Sequence, residues 1–365
     1  MAHGRSVTRG AAGSRVAKHV CPRVPSRHRS GNARRDESRP VACVRPMRDN
    51  GDMQILEPTT RIFLAGHRGL VGSAILRRLE ADGYANVVTR THAELDLKDQ
   101  AKVRAFFADE RPDVVILAAA KVGGILANSE APVDFLYDNL MIASNVIHAA
   151  HEHGVAKLLN LGSSCIYPKF APQPIPEDSL LTGALEPTNR AYAVAKIAAI
   201  ELCDAYRRQH GADFLSAMPT NLYGPGDNFD LRSSHVLPAL LRKMHEAKME
   251  ARDTVEVWGS GNPMREFLYV DDLADAVLFL LRNVSEPGPI NVGTGEDVTI
   301  RDLALLIADV VGFDGELAFD AGKPDGTPRK LLDVSRLRDL GWTASTGLRD
   351  GVERTYAWYV RNVAS

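Results

Sequence analysis

Tyr192 and Lys196 lie four positions apart in a segment whose residue spacing is typical of a helix. Side chains four apart share one helix face, so the Lys196 ammonium can sit beside the Tyr192 phenol and favour its ionised form. A phenol whose pKa is lowered in this way can exchange a proton with a substrate near neutral pH. The pair therefore predicts acid/base chemistry. The same spacing also suits a half-buried tyrosine beside a lysine that reaches solvent.

A glycine-rich turn lies upstream, between an apolar run at residues 61–65 and a helical pattern that starts near residue 70. Glycines at these spacings permit a tight turn, and the helix N-terminus offers backbone N–H groups to a pyrophosphate. We therefore predict a dinucleotide site. Its residues are Gly66, His67, Arg68, Gly69, Leu70, Val71 and Gly72.

The end of the second predicted strand, residues 86–90, discriminates between the two nicotinamide cofactors. A carboxylate there accepts a hydrogen bond from the ribose 2'-hydroxyl of NAD(H), but the sequence has no acid at this point. Arg90 and Arg68 can instead hold a 2'-phosphate through charge-assisted bonds. NADP(H) is thus favoured over NAD(H); the alternative is that both arginines are only solvated.

Ser163 closely follows an apolar run at residues 157–161 that is typical of a strand. A hydroxyl there can donate to a carbonyl oxygen that Tyr192 protonates. Lys196 would lower the phenol pKa and bind the nicotinamide ribose, which completes a set for hydride transfer. A serine nucleophile is a poor alternative because the Gly-x-Ser-x-Gly motif is absent.

Cys165 lies two residues beyond Ser163 and faces the same side if the extended geometry persists. One interpretation is an inert core thiol. The other is a base that removes a proton next to a carbonyl group, with His235 as the partner acid if the C-terminal part of the chain folds over the site.

Three histidines near one predicted helix end, His148, His151 and His153, suggest a metal site. No carboxylate or cysteine set completes it, so we interpret them as an exposed helix end and expect no metal.

Strands and helices alternate up to about residue 219, which predicts an α/β fold with a doubly wound parallel Rossmann sheet and ligands at the carboxyl ends of its strands. We assign residues 59–222 to an NADP-binding domain. Residues 223–365, where Pro/Gly turns are denser, would form mainly a smaller, discontinuous substrate-binding lobe, with segments near 265–292 returning to the sheet.

The first 58 residues differ in composition from the rest. Residues 1–35 are rich in Arg and Ser, contain no acid and show no periodicity. We interpret residues 1–58 as a disordered basic tail or as the product of a misassigned start, since Met47 and Met53 both precede the first strand. A transit peptide is the third interpretation.

The composition limits the possible partners and the compartment. A net charge of -2 over 365 residues gives no reason to expect nucleic acid or an anionic membrane, and no apolar run is long enough to span a bilayer. The four cysteines form no Cys-x-x-Cys pair, which argues against a zinc site or a disulfide framework. We expect a cytoplasmic protein.

Six segments are similar to the GDP-L-fucose synthase family, which is an extended branch of the short-chain dehydrogenase/reductase superfamily. The resemblance runs from about residue 61 to the C-terminus. The segments are AGHRGLVGSA (65–74), AAAKVGGI (118–125), LGSSCIYPK (161–169), MPTNLYGP (218–225), WGSGNPMREF (258–267) and KPDGTPRK (323–330).

The resemblance implies a bifunctional enzyme that converts GDP-4-keto-6-deoxy-D-mannose to GDP-L-fucose with NADPH, by epimerisation at C3 and C5 and reduction at C4. It implies Cys165 as the base, His235 as the acid and Tyr192 as the proton donor in reduction. The further cofactor contacts implied are Leu161, Gly162, Ser163, Ser164, Lys196, Pro219, Thr220, Asn221, Leu222 and His235. The substrate contacts implied are Lys243, Trp258, Arg265 and Asp325.

Two features depart from the family pattern: His92 stands where a second arginine is expected at the 2'-phosphate, and the basic tail has no counterpart. The resemblance also implies a homodimer through the helices near residues 133–153 and 192–208. A 4,6-dehydratase or 4-epimerase would share the fold, but a dehydratase needs an acid near Cys165, and residues 164–167 supply none. A non-catalytic NADP-binding sensor would have no use for Ser163, Tyr192 and Lys196 together.

Overall fold

The computed structural model describes residues 56–323 and 325–364. The predicted tail at residues 1–58 therefore lies outside the described residues except for its last three positions.

The strands are β1 Ile62–Ala65, β2 Val87–Val88, β3 Val114–Leu117, β4 Lys157–Leu161, β5 Asp213–Pro219, β6 Asn221–Tyr223, β7 Thr254–Trp258, β8 Met264–Tyr269, β9 Pro289–Val292, β10 Asp297–Thr299, β11 Glu316–Asp320 and β12 Arg329–Lys330. The helices are α1 Leu70–Ala81, α2 Gln100–Glu110, α3 Ile125–Glu130, α4 Pro132–Glu152, α5 Arg190–His210, α6 Val236–Met249, α7 Val270–Asn283, α8 Ile300–Val311, α9 Ser335–Asp339 and α10 Leu348–Asn362. Short 3-10 helices cover Ser164–Ile166, Glu177–Ser179 and Pro187–Asn189.

A six-stranded parallel sheet in the order β2-β1-β3-β4-β5-β9 forms the main layer. The chain runs outward in one direction through β1 and β2 and in the other through β3, β4, β5 and β9. The order therefore reverses beside β1, which is the switch point where doubly wound sheets bind ligands. The predicted fold class is confirmed.

The central strands are short and apolar because helices cover both faces of the sheet. Every residue of β1, β3 and β4 is buried, as parallel strands between two helical layers require. One face packs on α1 and α7, and the other on α2, α4 and α5. This packing brings the carboxyl ends of β1, β3, β4 and β5 to one edge.

The remaining strands belong to smaller sheets. β8 pairs with β6 and β12 in parallel and with β10 antiparallel, and β7 pairs with β11. A second core joins α6, α8 and α10. Among the described residues, no helix is long and apolar enough to cross a membrane.

The expectation that segments near 265–292 return to the main sheet is right for β9 and wrong for β8. The physical reason is the connection between them: β8 runs directly into α7, and α7 crosses to the outer face of the main sheet, where Arg77 of α1 pairs with Asp271 at 2.6 Å. α7, rather than β8, therefore carries the chain back to the sheet before β9.

Candidate active site

The glycine turn after β1 is shaped so that backbone can approach backbone. Gly66 has φ of +92°, and a Cβ there would lie 2.7 Å from the Ala119 nitrogen. A Cβ on Gly72 would lie 2.0 Å from the Gly66 carbonyl oxygen. Only glycine fits at both positions. The turn therefore brings α1 close against β1 and β3.

The first turn of α1 is open to an anion. Its N-cap residue is Gly69, which has no side chain to accept the first N–H groups of the helix. His67 Nδ1 is buried and has no hydrogen-bond partner among the described residues. A helix N-terminus with no side-chain cap suits a dinucleotide pyrophosphate, and the nearby His67 nitrogen is available for a further hydrogen bond.

Arg90 and Arg68 lie near the place predicted for a 2'-phosphate. Hydrogen bonds from Thr91 lower the pKa of the Glu94 carboxyl, and the charges of Arg90 and Arg68 add to that effect, so both guanidinium groups are close to Glu94. Arg90 is also paired with Glu110 of α2. A bound 2'-phosphate would therefore have to share Arg90 with this carboxylate.

His92, the departure from the family pattern, lies in solvent beside an acid. Its side chain is 77% exposed and its ring nitrogen lies 3.7 Å from Asp96. Arg68, which is exposed in the glycine turn, is the freer of the two cations.

The turns after β4 and β5 lie at the same edge of the main sheet as the glycine turn, because these parallel strands end there. Gly162 donates its N–H to the Ala217 carbonyl at 2.8 Å, and a Cβ there would collide with Met218. Ser164 is buried. At the end of β5, Thr220 donates its N–H to the Val292 carbonyl at 3.0 Å, and Asn221 Nδ2 donates to the Glu266 carbonyl at 2.7 Å. The predicted cofactor contacts at residues 161–164 and 219–222 thus lie at the ends of two paired strands.

Ser163 and Tyr192 are close enough for the serine hydroxyl to act on the phenol. Ser163 closes β4, and its Oγ accepts the Cys165 backbone N–H at 3.3 Å. Burial raises the pKa of the Tyr192 phenol, the neighbouring Cys165 adds to the rise, and the hydrogen bond with Ser163 opposes it. Tyr192 therefore stays protonated at neutral pH, ready to donate.

Lys196 lies beside Tyr192 and is held by a backbone carbonyl at the end of β4. Its Nζ donates to the Leu161 carbonyl at 2.7 Å and lies 5.9 Å from the centre of the Tyr192 ring. Burial lowers the pKa of Lys196 to about 8. The i,i+4 spacing places both groups on one face, but the strand-end carbonyl, which needs a donor, competes for the ammonium.

The pKa of the Cys165 thiol is lowered, whereas that of the Tyr192 phenol is raised. Burial acts to raise the pKa of its thiol, but the Lys330 ammonium, a hydrogen bond with Ser163 and the charge of Arg265 outweigh burial and lower it. Lys330 Nζ lies 3.4 Å from Cys165 Sγ. The structure therefore shows a thiol with a cation beside it, which an inert core cysteine lacks.

Lys330 was not among the residues that the sequence singled out for chemistry. It lies in the segment 323–330, whose likeness to a family was noted without a role for this lysine. Its position follows from strand pairing, since β12 aligns Lys330 with Arg265 of β8. That pairing has no signal in local periodicity.

His235 is the N-cap residue of α6 and is accessible to solvent although protein surrounds it. Burial lowers the pKa of its imidazole, and the charge of Lys330 lowers it further. The free protein therefore holds a neutral imidazole at neutral pH. As an acid, His235 must gain its proton during turnover.

The four predicted substrate contacts fall into two neighbouring groups. Lys243 Nζ lies 5.2 Å from the centre of the Trp258 ring, which is 51% exposed, and Lys323 approaches the same ring at 5.2 Å. Arg265 donates to the Asp325 backbone carbonyl at 3.3 Å. Lysines around an exposed aromatic face suit a nucleoside diphosphate.

Asp325 is less open than expected. Its two carboxylate oxygens accept the backbone N–H and the hydroxyl of Ser260, both at 2.8 Å. It orders the loop around Trp258, and only its remaining lone pairs can meet sugar hydroxyls.

A recess of about 30 Å³ beside Cys165 is lined by Asn189, Arg329 and Lys330, among others. Asn189 Oδ1 is buried and lacks a hydrogen-bond partner in the described part of the chain. A buried oxygen without a partner costs about 1–3 kcal/mol. The recess is therefore suited to a ligand group that donates a hydrogen bond.

No group of three or more His, Cys, Asp or Glu side chains is placed to hold a metal ion within residues 56–323 and 325–364. His151 packs instead between Tyr206 and His210, with tilted rings whose centres are 4.6 and 4.4 Å apart.

The fold and this edge of the sheet define a class, the dinucleotide-dependent epimerases and dehydrogenases. Residues 62–293 match the NAD dependent epimerase/dehydratase family. GDP-L-fucose synthase 1 from Arabidopsis thaliana is 62% identical over 309 residues, which are 85% of this chain and 96% of that protein. GDP-L-fucose synthase from Escherichia coli (strain K12) is 58% identical over 311 residues, which are 83% of this chain and 97% of that protein.

Among solved structures, a GDP-L-fucose synthetase from Naegleria fowleri bound to NADP matches with a TM-score of 0.78 and 30% identity, over 85% of this chain and 97% of that one. The chain belongs to the GDP-L-fucose synthase family within the extended short-chain dehydrogenases/reductases. The resemblance drawn from the sequence is confirmed.

Replacing Lys330 by Met should raise the pKa of the Cys165 thiol by about one unit, because an opposite charge in contact is lost. The thiolate is the form that reacts with iodoacetamide, so the midpoint of the pH profile of Cys165 alkylation should move upward by the same amount. Mass spectrometry of the Cys165 peptide separates it from the other cysteines.

Lys323→Met is the matched control, since Lys323 contacts Trp258. Its alkylation midpoint should equal that of the unmodified protein. An unchanged midpoint in Lys330→Met would show that the ammonium does not act on the thiol.

Proposed function

We propose that this chain is a bifunctional 3,5-epimerase and NADPH-dependent 4-reductase that converts GDP-4-keto-6-deoxy-D-mannose to GDP-L-fucose. The observation that carries the proposal is one pocket with two proton-handling groups of opposite character. Cys165 has a lowered pKa beside Lys330, and Tyr192 has a raised pKa beside Ser163. A 4-ketosugar needs both, because its epimerisation and its reduction meet at the same carbonyl.

The thiolate of Cys165 suits the epimerisation. C3 and C5 both flank the C4 carbonyl, so loss of a proton from either gives an enolate on the C4 oxygen. Cys165 removes that proton and later releases it to solvent, Ser163 and Tyr192 donate hydrogen bonds to the oxygen, and His235, after taking a proton from solvent, gives it to the carbon from the other face. The C–H bond that breaks and the one that forms are on the same carbon, and no electrons are gained or lost.

Tyr192 suits the reduction. NADPH, when bound, supplies a hydride to C4. As charge builds on the C4 oxygen, Tyr192 gives its phenolic proton and Ser163 donates a hydrogen bond. Lys196, which lies between the Leu161 carbonyl and the Tyr192 ring, is placed to turn its ammonium toward a ribose hydroxyl. Its pKa of about 8 keeps it mostly charged at neutral pH.

NADP(H) is proposed as the cofactor because the residues directly after β2, 89–93, include Arg90 and no carboxylate. The cradle of residues 66–72 would hold the pyrophosphate, and Arg68 with Arg90 the 2'-phosphate. The Naegleria relative that binds NADP supports this choice. The Lys243, Trp258, Lys323 and Arg265 cluster would hold the GDP group of the substrate.

We further propose a homodimer in which α4 and α5 of two copies form a four-helix bundle. These helices pack on each other and expose apolar side chains: Val133 is 73%, Tyr137 57% and Val194 40% exposed. A shared face would cover them. A cytoplasmic location suits the chemistry, since a reducing compartment keeps the Cys165 thiol free.

Tyr192→Phe should lower the rate of NADPH oxidation by about 100-fold or more because the proton donor is lost. Exchange of the C3 and C5 hydrogens with D2O should continue in part, since Cys165 remains. Cys165→Ser should suppress that exchange, because a serine hydroxyl is a much weaker acid than a thiol. NMR of the sugar follows exchange, and loss of NADPH absorbance follows reduction. Equal loss of exchange in both variants would contradict the assignment of separate roles.

Tyr137→Glu should weaken dimerisation by about 100-fold, because it buries a charge at the proposed interface. Sedimentation velocity over a concentration series measures this change. Met249→Glu alters another exposed apolar residue, 70% accessible at the end of α6, and should leave the dimer intact. The bundle is wrong if the unmodified chain sediments as a monomer, or if Tyr137→Glu stays dimeric at every concentration.

A further inference from the structure

Glu266 is a fully buried carboxylate that no step of the proposed chemistry uses. It lies in β8 with 0% of its surface exposed. One oxygen accepts the backbone N–H groups of Thr294 at 2.7 Å and Gly295 at 2.8 Å. The other accepts the N–H of Leu332 at 3.0 Å. Its two oxygens thus bridge the loop after β9 and the segment after β12.

The space and the hydrogen-bond donors around Glu266 are suited to a carboxylate. A Cβ on Gly293 would lie 2.2 Å from the Glu266 oxygen, so this neighbour has to be glycine. Burial raises the pKa of the Glu266 carboxyl, and its N–H donors act against the rise. The Thr294 hydroxyl is a fourth donor, at 3.4 Å, and the other three are backbone groups, which cannot rotate away if the acceptor is lost.

Glu266 is directly connected to the cation at Cys165. The Leu332 N–H that it accepts lies two residues after Lys330, and β12 pairs Lys330 with Arg265, the neighbour of Glu266 in β8. Neighbours along a strand face opposite sides. β8 therefore turns Arg265 toward Cys165 and Glu266 toward the backbone that carries Lys330.

The segment 330–332 is also attached at Leu331. Leu331 donates its N–H to Gln173 Oε1 at 2.9 Å and accepts the Ile175 N–H at 2.8 Å. Loss of the Glu266 contact should therefore shift this segment without releasing it.

We propose that Glu266 is a positioning residue that holds Lys330 against Cys165 Sγ, through the Leu332 N–H and the pairing of β12 with β8. This inference deepens the proposed function and rests on it for the role of Cys165 as base. The inference explains why the Lys330 ammonium lies beside the Cys165 thiol. The carboxylate sets the distance between Lys330 and the thiol, so it acts on proton removal at C3 and C5 and leaves hydride transfer alone.

The test is Glu266→Gln in the full chain, with the pH profile of Cys165 alkylation as the readout. The amide replaces one acceptor oxygen by an NH2 donor, which then faces a backbone N–H. We expect the alkylation midpoint to rise by about half a unit or more as Lys330 moves away from the thiol. Solvent exchange at C3 and C5 should slow several-fold, and NADPH affinity should be unchanged.

Asp272→Asn is the matched control for a general loss of stability. Asp272 is 6% exposed, and its carboxylate accepts the backbone N–H groups of Ser345 at 3.2 Å and Thr346 at 2.8 Å. It makes the same change of carboxylate to amide, at a site with no partner near Lys330. We expect a lower midpoint of urea unfolding and an unaltered alkylation profile.

A double variant tests whether Glu266 acts through Lys330. In the Lys330→Met background, Glu266→Gln should add no further shift to the alkylation midpoint, because the cation is already gone. If Glu266→Gln does not fold, Gly293→Ala offers a second perturbation, since its Cβ would displace the carboxylate. It should move the midpoint in the same direction.

The proposal is overturned if Glu266→Gln or Gly293→Ala folds and keeps the original midpoint, or if the shifts of Glu266→Gln and Lys330→Met add. Alkylation needs no substrate, so this result stands apart from the proposed function. Failure of the unmodified chain to turn over the ketosugar would reject the function and leave the contact between Glu266, Lys330 and Cys165 to be judged by alkylation alone.

Discussion

Lys330 keeps an acidic thiol in a pocket where burial acts against charge. Its ammonium lies 3.4 Å from Cys165 Sγ, and with Ser163 and Arg265 it outweighs the cost of burial. The same burial raises the pKa of Tyr192, whose neighbour Lys196 donates to the Leu161 carbonyl, and keeps the phenol protonated. One pocket thus contains a group suited to take a proton and another suited to give one. Environments that separate two titratable groups in this way are how a single site performs acid and base chemistry at one pH.

Which of the two proton-handling groups has a lysine ammonium beside it depends on the contacts that hold Lys196 and Lys330. The Leu161 carbonyl at the end of β4 binds Lys196, and the pairing of β12 with β8 sends Lys330 to the thiol. The first contact lies where β4 ends, and the second follows from the register of β12 with β8. The fold therefore determines the protonation states of the site as well as its shape.

Much of this arrangement is visible in the sequence because it is local. The apolar runs of β1, β3, β4 and β5, the glycine turn, and the spacing of Tyr192 and Lys196 each occupy a few adjacent residues. Because parallel strands end at one edge of a sheet, these local features were enough to place Ser163, Cys165 and Tyr192 together.

The features that the sequence did not reveal depend on contacts between distant segments. Lys330 reaches Cys165 across 165 positions, and its pairing with Arg265 follows from the register of two short strands. β8 was assigned to the wrong sheet because the residues of a strand do not reveal which other strands it pairs with. Helical spacing likewise does not reveal that the Leu161 carbonyl of β4 holds the Lys196 ammonium, and the expected effect of Lys196 on Tyr192 stays a prediction. The first 55 residues lie outside the described structure, so the interpretations of the tail stay predictions.

The central claim is that one pocket both inverts C3 and C5 and reduces C4. The most direct measurement is to incubate the full chain with GDP-4-keto-6-deoxy-D-mannose and NADPH in D2O and to identify the nucleotide sugar by NMR. The account predicts GDP-L-fucose with deuterium at both C3 and C5, a C4 hydrogen that comes from NADPH, and one NADPH oxidised per sugar. GDP-D-rhamnose without deuterium would contradict it, because reduction would then proceed without proton removal by Cys165.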